Sequence, residues 1–465
     1  MKILFHGADR GVTGSCHMVE CAGKRILIDC GLYQGGHELV EENSAPFGFD
    51  PADIDYLLLT HAHLDHCGRI PLLVKQGFNG EIITTPASAE LARLVMLDSA
   101  GLQEEEARYQ LRKARRHGGN HGRNVEPLYT TLDALNSLEY FGRHAAYNEA
   151  LRLDGGIDAT FIDAGHILGS ASIVLDLEEE GRKHRVLFSG DLGYSGRAVL
   201  RDPVSPQQPV DTVIMETTYG DRLHKQLEPS IHELYAVINE TVRRGGNIII
   251  PTFALERAQE ILYYLREGVK DGHIEHFTNV FLDSPMAISA TQIFRRHPEC
   301  FNKETLKIFD GGTDPFDLPG LHFTRETAES MAINQIDGGA VIMAGSGMCT
   351  GGRVRHHLKH NLWRQQNSIV FVGYAAQGTL ARRIIDGAES VRIFGEEIPV
   401  KASIHTIGGF SAHADQAELL AWQQRTGNPA TTFLVHGEED AMKAFSRKLS
   451  HTKVEMPELH QRYDL

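Results

Sequence analysis

The run His61-Ala62-His63-Leu64-Asp65-His66-Cys67-Gly68 limits what this chain can be more than any other stretch. Three imidazoles and one carboxylate fall within six residues, directly after the apolar run Tyr56 to Thr60. Neutral imidazole nitrogen and carboxylate oxygen both ligate a borderline cation such as zinc, and a turn closing a strand can aim alternate side chains at one point. A solvated polar turn has no need of so many histidines at this spacing. The segment offers at most four donors, so a catalytic centre has to recruit others from elsewhere in the chain.

Four further strand ends supply candidates. Asp29 closes Ile-Leu-Ile-Asp, His166 follows Phe-Ile-Asp-Ala-Gly, Asp191 closes Leu-Phe-Ser-Gly-Asp, and His436 follows Thr-Thr-Phe-Leu-Val. One His or Asp after a strand is usually a turn-maker or cap. Several together carry more weight, because strand ends in packed sheets converge on one edge. The first two hundred residues read as short apolar strands bounded by Gly, Pro or Asp, with helix from Ala87 to about Arg116. From Glu216 the rhythm becomes strand, small-residue turn and amphipathic helix, repeated, which is the pattern of a parallel sheet wound with helices. After Gly395 the earlier style returns with Gly-Phe-Ser-Ala-His-Ala-Asp, carrying His413, and with His436. The expected organisation is one domain formed by 1–215 and 396–465, with a second domain, 216–395, inserted into it.

A length of 465 residues agrees with two cores. The opening Met-Lys-Ile-Leu-Phe reads as a strand and no stretch is apolar enough to span a bilayer. Six cysteines without C-x-x-C spacing point to reduced thiols and a cytoplasmic setting. The net charge of −15 speaks against a broad basic footprint for nucleic acid. It leaves room for local ones, at Arg112 to Arg123 and Arg353 to His360, and carboxylates gathered around cations count as negative only on paper. The turns Gly345–Gly352 and Gln377–Thr379 lie at carboxyl ends of expected strands, where backbone amides can approach phosphate. No stacking motif for bases is visible, so little sequence preference is expected.

Taken in order, Gly-Ala-Asp-Arg-Gly-Val-Thr-Gly-Ser-Cys-His, Ile-Leu-Ile-Asp-Cys-Gly, His-Ala-His-Leu-Asp-His, Asp-Ala-Gly-His-Ile-Leu-Gly-Ser, Phe-Ser-Gly-Asp-Leu-Gly, Met-Glu-Thr-Thr-Tyr-Gly, Gly-Ser-Gly-Met-Cys-Thr-Gly-Gly-Arg, Gly-Phe-Ser-Ala-His-Ala-Asp and Leu-Val-His-Gly-Glu resemble the β-CASP branch of the metallo-β-lactamase superfamily. The likeness is to the nuclease subunit of the cleavage and polyadenylation specificity factor and its bacterial relatives. It implies an αββα metallo-β-lactamase sandwich with an inserted α/β β-CASP domain. It also implies two zinc ions, one on His61, His63 and His166, the other on Asp65, His66 and His436, with Asp191 bridging. By the same resemblance Asp29 and Asp65 join the catalytic carboxylates, Asp29 orienting a ligand or water. Glu216 and His413 match the family's acidic and histidine motifs, with His413 as the acid that protonates the leaving 3′ oxygen. Met-Glu-Thr-Thr-Tyr-Gly replaces the more usual Glu-Ser-Thr-Tyr-Gly, a minor departure.

His436 stands where DNA-directed relatives usually carry an apolar residue, which favours RNA. The expected reaction is attack of a hydroxide shared by two zinc ions on single-stranded RNA, leaving 3′-hydroxyl and 5′-phosphate ends, by an endonuclease in preference to a 5′ exonuclease. Ser346, Gly347, Arg353, Gln377, Gly378 and Thr379 are the candidate substrate-binding residues. Rival readings are a hydrolase of DNA or of a small thioester on the same fold, and a non-catalytic scaffold in RNA processing. Inactive family members have degraded ligand motifs, whereas all seven ligand positions are filled here. A homodimer is left open.

Overall fold

Strand Arg182–Phe188 shows how the first unit is layered: Val186 and Phe188 join one apolar cluster while Leu187, between them, joins another. Side chains of successive strand residues leave opposite faces of a sheet, so a strand apolar at every position has to be covered on both sides. The computed structural model describes residues 1–35, 41–116, 126–274, 279–373, 375 and 378–465. Gln377 and most of the basic run after Arg116 lie outside the described residues.

The chain divides into two compact units, Met1–Ser195 with Asp202–Leu223 and His413–Leu465, and Gly196–Arg201 with His224–Ala412. The first contains two seven-stranded sheets. One runs Arg462–Asp464, Lys2–Phe5, His17–Cys21, Lys24–Ile28, Tyr56–Leu58, Glu81–Thr84, Phe141–His144. The other runs Lys453–Glu455, Thr431–Val435, Thr212–Glu216, Arg182–Phe188, Ala171–Glu179, Ile157–Asp163, Ala150–Leu153. Phe5, Val19, Ile26 and Leu58 of one sheet share a core with Phe161, Ile173, Phe188 and Phe433 of the other, and the Phe5 and Phe433 rings lie 5.1 Å apart. The opposite face of the second sheet, with Leu187, Val213, Met215 and Leu434, is covered by Leu419 and Trp422 of helix Gln416–Gln424 and Met442 and Phe445 of helix Glu439–Ser446.

In the second unit six parallel strands are ordered Leu321–Phe323, Asn279–Leu282, Ala340–Ala344, Ile248–Pro251, Ser368–Val372, Ser403–Ile407. The middle strands are buried along their whole length, as parallel strands covered on both faces must be. Strand Ser403–Ile407 extends this sheet by pairing with Ser368–Val372. The unit therefore runs on to Ala412, past the sequence boundary at 395, because register with a neighbouring strand decides membership and a change of local style does not.

Asp283, just past strand Asn279–Leu282, is a fully buried carboxylate in the second unit. Oδ1 accepts from Arg353 Nη1 at 2.7 Å and Thr324 Oγ1 at 2.8 Å, and Oδ2 bonds Ser330 Oγ and His357 Nε2, each at 2.6 Å. Burial disfavours the charge, but these four partners outweigh it and hold the carboxyl near 2, below its ordinary 3.8. A carboxylate depressed on folding contributes stability above the unfolded value and loses it as pH falls through the folded one. Asp283→Asn is therefore expected to flatten the loss of stability between about pH 4 and pH 2. Urea midpoints measured across that range check this, and parallel profiles for the two proteins would contradict it.

Among the described residues no helix is long and apolar enough to cross a membrane, and all six cysteines are buried and outside any disulfide.

Candidate active site

In the first unit the strands deliver their last side chains to one edge. Ile28 pairs in parallel register with Leu58, Phe188 with Ile214, and Glu216 with Val435, so the residues that follow emerge side by side. Asp29, His61, Asp191 and His436 all leave the sheets there, and Asp29 and His436 have positive φ (61° and 47°), turning sharply out of their strands. His63 begins the short helix Leu64–Cys67, which places Asp65 and His66 one turn on. His166 is set by Ser170, whose Oγ accepts from its backbone N–H at 3.0 Å.

Two groups of donors result. His63 Nδ1 lies 3.2 Å from His61 Nε2 and 3.1 Å from His166 Nε2, while Asp191 Oδ2 is 3.5 Å from His61 Nε2 and 3.6 Å from His166 Nε2. In the second group His66 Nε2 is 3.3 Å from His436 Nε2, and Asp65 Oδ2 is 3.5 Å from His436 Nε2. Asp191 Oδ1 lies 3.4 Å from both His66 Nε2 and His436 Nδ1. One oxygen of Asp191 thus faces each group. The edge of a tetrahedron with metal–nitrogen bonds of about 2.0–2.1 Å is roughly 3.3 Å, so the donor separations suit a zinc-sized ion. Asp191 Oδ1 is buried and accepts no well-formed hydrogen bond, an expensive state that a cation would relieve. The donor set therefore fits a metal.

The electrostatics agree. Burial holds His61 well below its ordinary value and His63 down to about 4, keeping both imidazoles in the neutral form that ligates. Burial also opposes charge on Asp191, but the histidines facing it, His436 and His66 foremost, outweigh it and hold its carboxyl well below the usual range. His66 is raised because Asp191 and Asp29 more than offset its burial, and its Nε2 faces Asp191 across the position a cation would take.

Around the donors stands a shell of orienting groups. Asp29 Oδ2 bonds His66 Nδ1 at 2.7 Å and accepts from Thr60 Oγ1 at 2.8 Å, and Oδ1 accepts from the Thr60 backbone at 2.8 Å. This fixes the His66 ring with Nε2 turned to the donor group. Thr60 Oγ1 also lies 3.0 Å from His61 Nδ1, and Thr218 Oγ1 lies 3.3 Å from His436 Nδ1. Sequence reasoning passes over both threonines. Thr60 could have been found from its place directly before the histidine run, and Thr218 from its place in the Met-Glu-Thr-Thr-Tyr-Gly motif two residues after Glu216.

His413 Nδ1 lies 3.2 Å from both oxygens of Glu216 and 4.0 Å from Asp191 Oδ2. Burial disfavours its charge, but Glu216 and Asp191 outweigh this and raise the imidazole to about 9. At neutral pH the imidazole is therefore held in its protonated form, with Glu216 engaging Nδ1. Asp191, Glu216 and His413 also offer three donor atoms within 4.8 Å of one another.

The candidate substrate-binding residues lie in the second unit. Arg353 donates to Asp283, to the Thr324 carbonyl at 3.0 Å and to the Arg325 carbonyl at 2.6 Å, so its guanidinium braces the fold. Thr379 caps helix Leu380–Ile385 by accepting from Arg382 N–H at 3.2 Å. Gly378 has φ +80°, and Ser346 and Gly347 lie in the loop after strand Ala340–Ala344.

Comparison with known proteins agrees with this architecture. Residues 9–245 match the family model of the metallo-beta-lactamase superfamily, 258–384 that of the Beta-Casp domain, and 397–457 that of the Zn-dependent metallo-hydrolase RNA specificity domain. The chain is 41% identical over 450 residues to ribonuclease TTHA0252 of Thermus thermophilus, covering 97% of this chain and 96% of that protein. It is 32% identical over 455 residues to the transcription termination factor FttA of Methanocaldococcus jannaschii, covering 96% of this chain and 68% of that one. A crystal structure of a protein of unknown function from Enterococcus faecalis superposes with a TM-score of 0.53 at 12% identity, covering 100% of this chain and 99% of that one, a likeness of fold alone. With three family models in chain order and a relative this similar along nearly its whole length, the chain belongs to the β-CASP ribonuclease family of the metallo-β-lactamase superfamily and is a metal-dependent hydrolase.

Proposed function

We propose that the protein is a two-zinc ribonuclease that hydrolyses single-stranded RNA to 3′-hydroxyl and 5′-phosphate ends, cutting internally. The observation that carries this reading is the division of Asp191, with one oxygen toward His61 and His166 and the other toward His66 and His436. A carboxylate so placed serves two cations at once. His61, His63 and His166 would hold one, and Asp65, His66 and His436 the other. Zinc bound there supplies an activated water and positive charge beside the phosphoryl group.

The chain's own residues do the rest. Asp29 holds His66 in one tautomer through the 2.7 Å bond to Nδ1. Thr60 and Thr218 steady His61 and His436. Glu216 keeps His413 protonated, so the imidazole can give its Nε2 proton to the departing 3′ oxygen as the P–O bond breaks. The RNA specificity model and the ribonuclease among the relatives support RNA as the substrate.

Product mapping on a circular RNA, with zinc measured on the same sample, tests the proposal. Linear products with 5′-phosphates at two zinc ions per chain are expected, and an untouched circle beside degraded linear RNA would overturn internal cutting. His436→Ala, which removes a donor from one group only, should lower zinc from about two toward one per chain. A full complement in that variant would remove His436 from the ligand set.

A further inference from the structure

The chain leaves an aromatic ring in water at the carboxyl end of a central strand of the second unit. Strand Ile248–Pro251 and Thr252 are buried, yet the next residue, Phe253, is 42% exposed. A phenyl ring left partly in water forgoes part of the stabilisation that burial would bring. The ring is nonetheless placed with care. A Cβ on Gly347 would stand 2.7 Å from its Cε2 and 2.8 Å from its Cδ2, so the ring rests directly on the backbone of the following loop, where only glycine leaves room. Pro251, Phe371, Gly373 and Ala375 complete the shallow pocket beside it.

The loop under the ring is held at both ends. Ser346 N–H donates to the Gly351 carbonyl at 3.3 Å, Val354 N–H donates to the Gly345 carbonyl at 3.1 Å, and Ser346 Oγ lies 3.4 Å from Thr350 Oγ1. Gly352, with φ +73°, lets the chain double back so tightly that a Cβ there would meet the Gly345 carbonyl oxygen at 2.2 Å. Arg353 then anchors the loop to buried Asp283, and His357, one helical turn on, binds the same carboxylate. An interior charge with four partners costs desolvation that an apolar contact would avoid, and what it brings is a fixed geometry. Here that geometry is of a glycine-rich loop beside an exposed aromatic ring, at the edge where open parallel sheets receive ligands.

An aromatic face beside a loop whose glycines let a ligand approach the backbone suits one chemical unit, a planar base joined to a phosphate. We propose that Phe253 and the Gly345–Gly352 loop form a seat for one nucleotide of the substrate RNA, with its base stacked on the ring and its phosphate against the loop. Asp283 acts as a positioning residue for that loop. The seat rests on the ribonuclease reading above, and it adds recognition through the π-face of a base, which every base possesses and which is therefore tolerant of sequence.

The test walks a single abasic nucleotide along a labelled single-stranded RNA and measures binding to the zinc-loaded full chain by stopped-flow fluorescence anisotropy, before turnover intrudes. Stacking on one aromatic ring is worth about tenfold in affinity. The wild-type protein should lose about that factor when the abasic nucleotide occupies one register, and little elsewhere. Phe253→Leu should bind intact RNA about tenfold more weakly and ignore the abasic position, and Phe253→Tyr should restore both behaviours. Asp283→Asn should weaken binding of intact RNA while keeping the response to the abasic position. A flat scan in the wild type, or unchanged affinity in Phe253→Leu, overturns the seat. Cleavage of the same RNA by zinc-loaded protein separates the two ideas: a flat scan with normal cleavage refutes the seat alone, and a clear scan without cleavage refutes the ribonuclease reading alone.

Discussion

Asp191→Ala is expected to abolish metal binding at both donor groups together, and with it RNA cleavage by at least about a thousandfold. Each Asp191 oxygen is the anionic member facing its group, Oδ2 toward His61 and His166 and Oδ1 toward His66 and His436. Without it the group of His61, His63 and His166 retains only neutral imidazoles, and the other group keeps a single carboxylate, Asp65. The imidazoles would then crowd one another without the charge that draws a cation among them. Elemental analysis should find well under one zinc per chain, in contrast to the partial loss expected of His436→Ala. Because Asp191 is buried at 2% exposure, circular dichroism on the same sample has to show that the sheets persist. Two zinc ions bound to a folded Asp191→Ala protein would end the bridging assignment.

His413→Ala is expected to do the reverse, keeping the metal while cleavage falls roughly 10²- to 10⁴-fold, the usual contribution of a general acid. The Nδ1 atom of His413 is taken up by Glu216 at 3.2 Å, which leaves Nε2 as the atom that would carry the proton in the proposed reaction. A chemical control sharpens the result. A nitrophenyl phosphodiester expels a leaving group that needs no proton, so the variant should retain far more of its activity on that ester than on RNA. Equal losses on both substrates would show that His413 does not protonate the leaving group, and loss of zinc would show that it is a ligand after all.

Much of the first unit can be read from residue order. His61, His63, Asp65 and His66 announce themselves by spacing, and Asp29, His166, Asp191 and His436 each end an apolar run, so their meeting follows once the runs are strands in facing sheets. The division of Asp191 between two groups and the tie from His413 to Glu216 across 197 residues were expected from the family resemblance and not from spacing, since the one depends on a side-chain torsion and the other on distant strands meeting. Arg353 shows the opposite limit. Its place after a glycine-rich turn reads as phosphate binding, yet its guanidinium turns inward to Asp283, 70 residues earlier, because a buried carboxylate needs donors. Phe253 was not legible at all, since an aromatic after a strand looks like core until the strand's neighbours are known. Strand Ser403–Ile407 went with the wrong neighbours for the same reason.

The pairing of strand Lys2–Phe5 with strand Arg462–Asp464 has a kinetic consequence. The sheet that carries the histidine run is bordered by a strand far downstream in the chain, and His66 meets His436 across a separation of 370 positions. The parallel strands of the second unit lie between these partners in the chain and can assemble while the first sheet still waits for its edge. Contacts so distant in sequence form slowly, since a long loop must close before any of them is rewarded. Capture of zinc by Asp65, His66 and His436 should accordingly lag behind the appearance of secondary structure during refolding, making the ion a late reporter of closure between the distant parts of the chain.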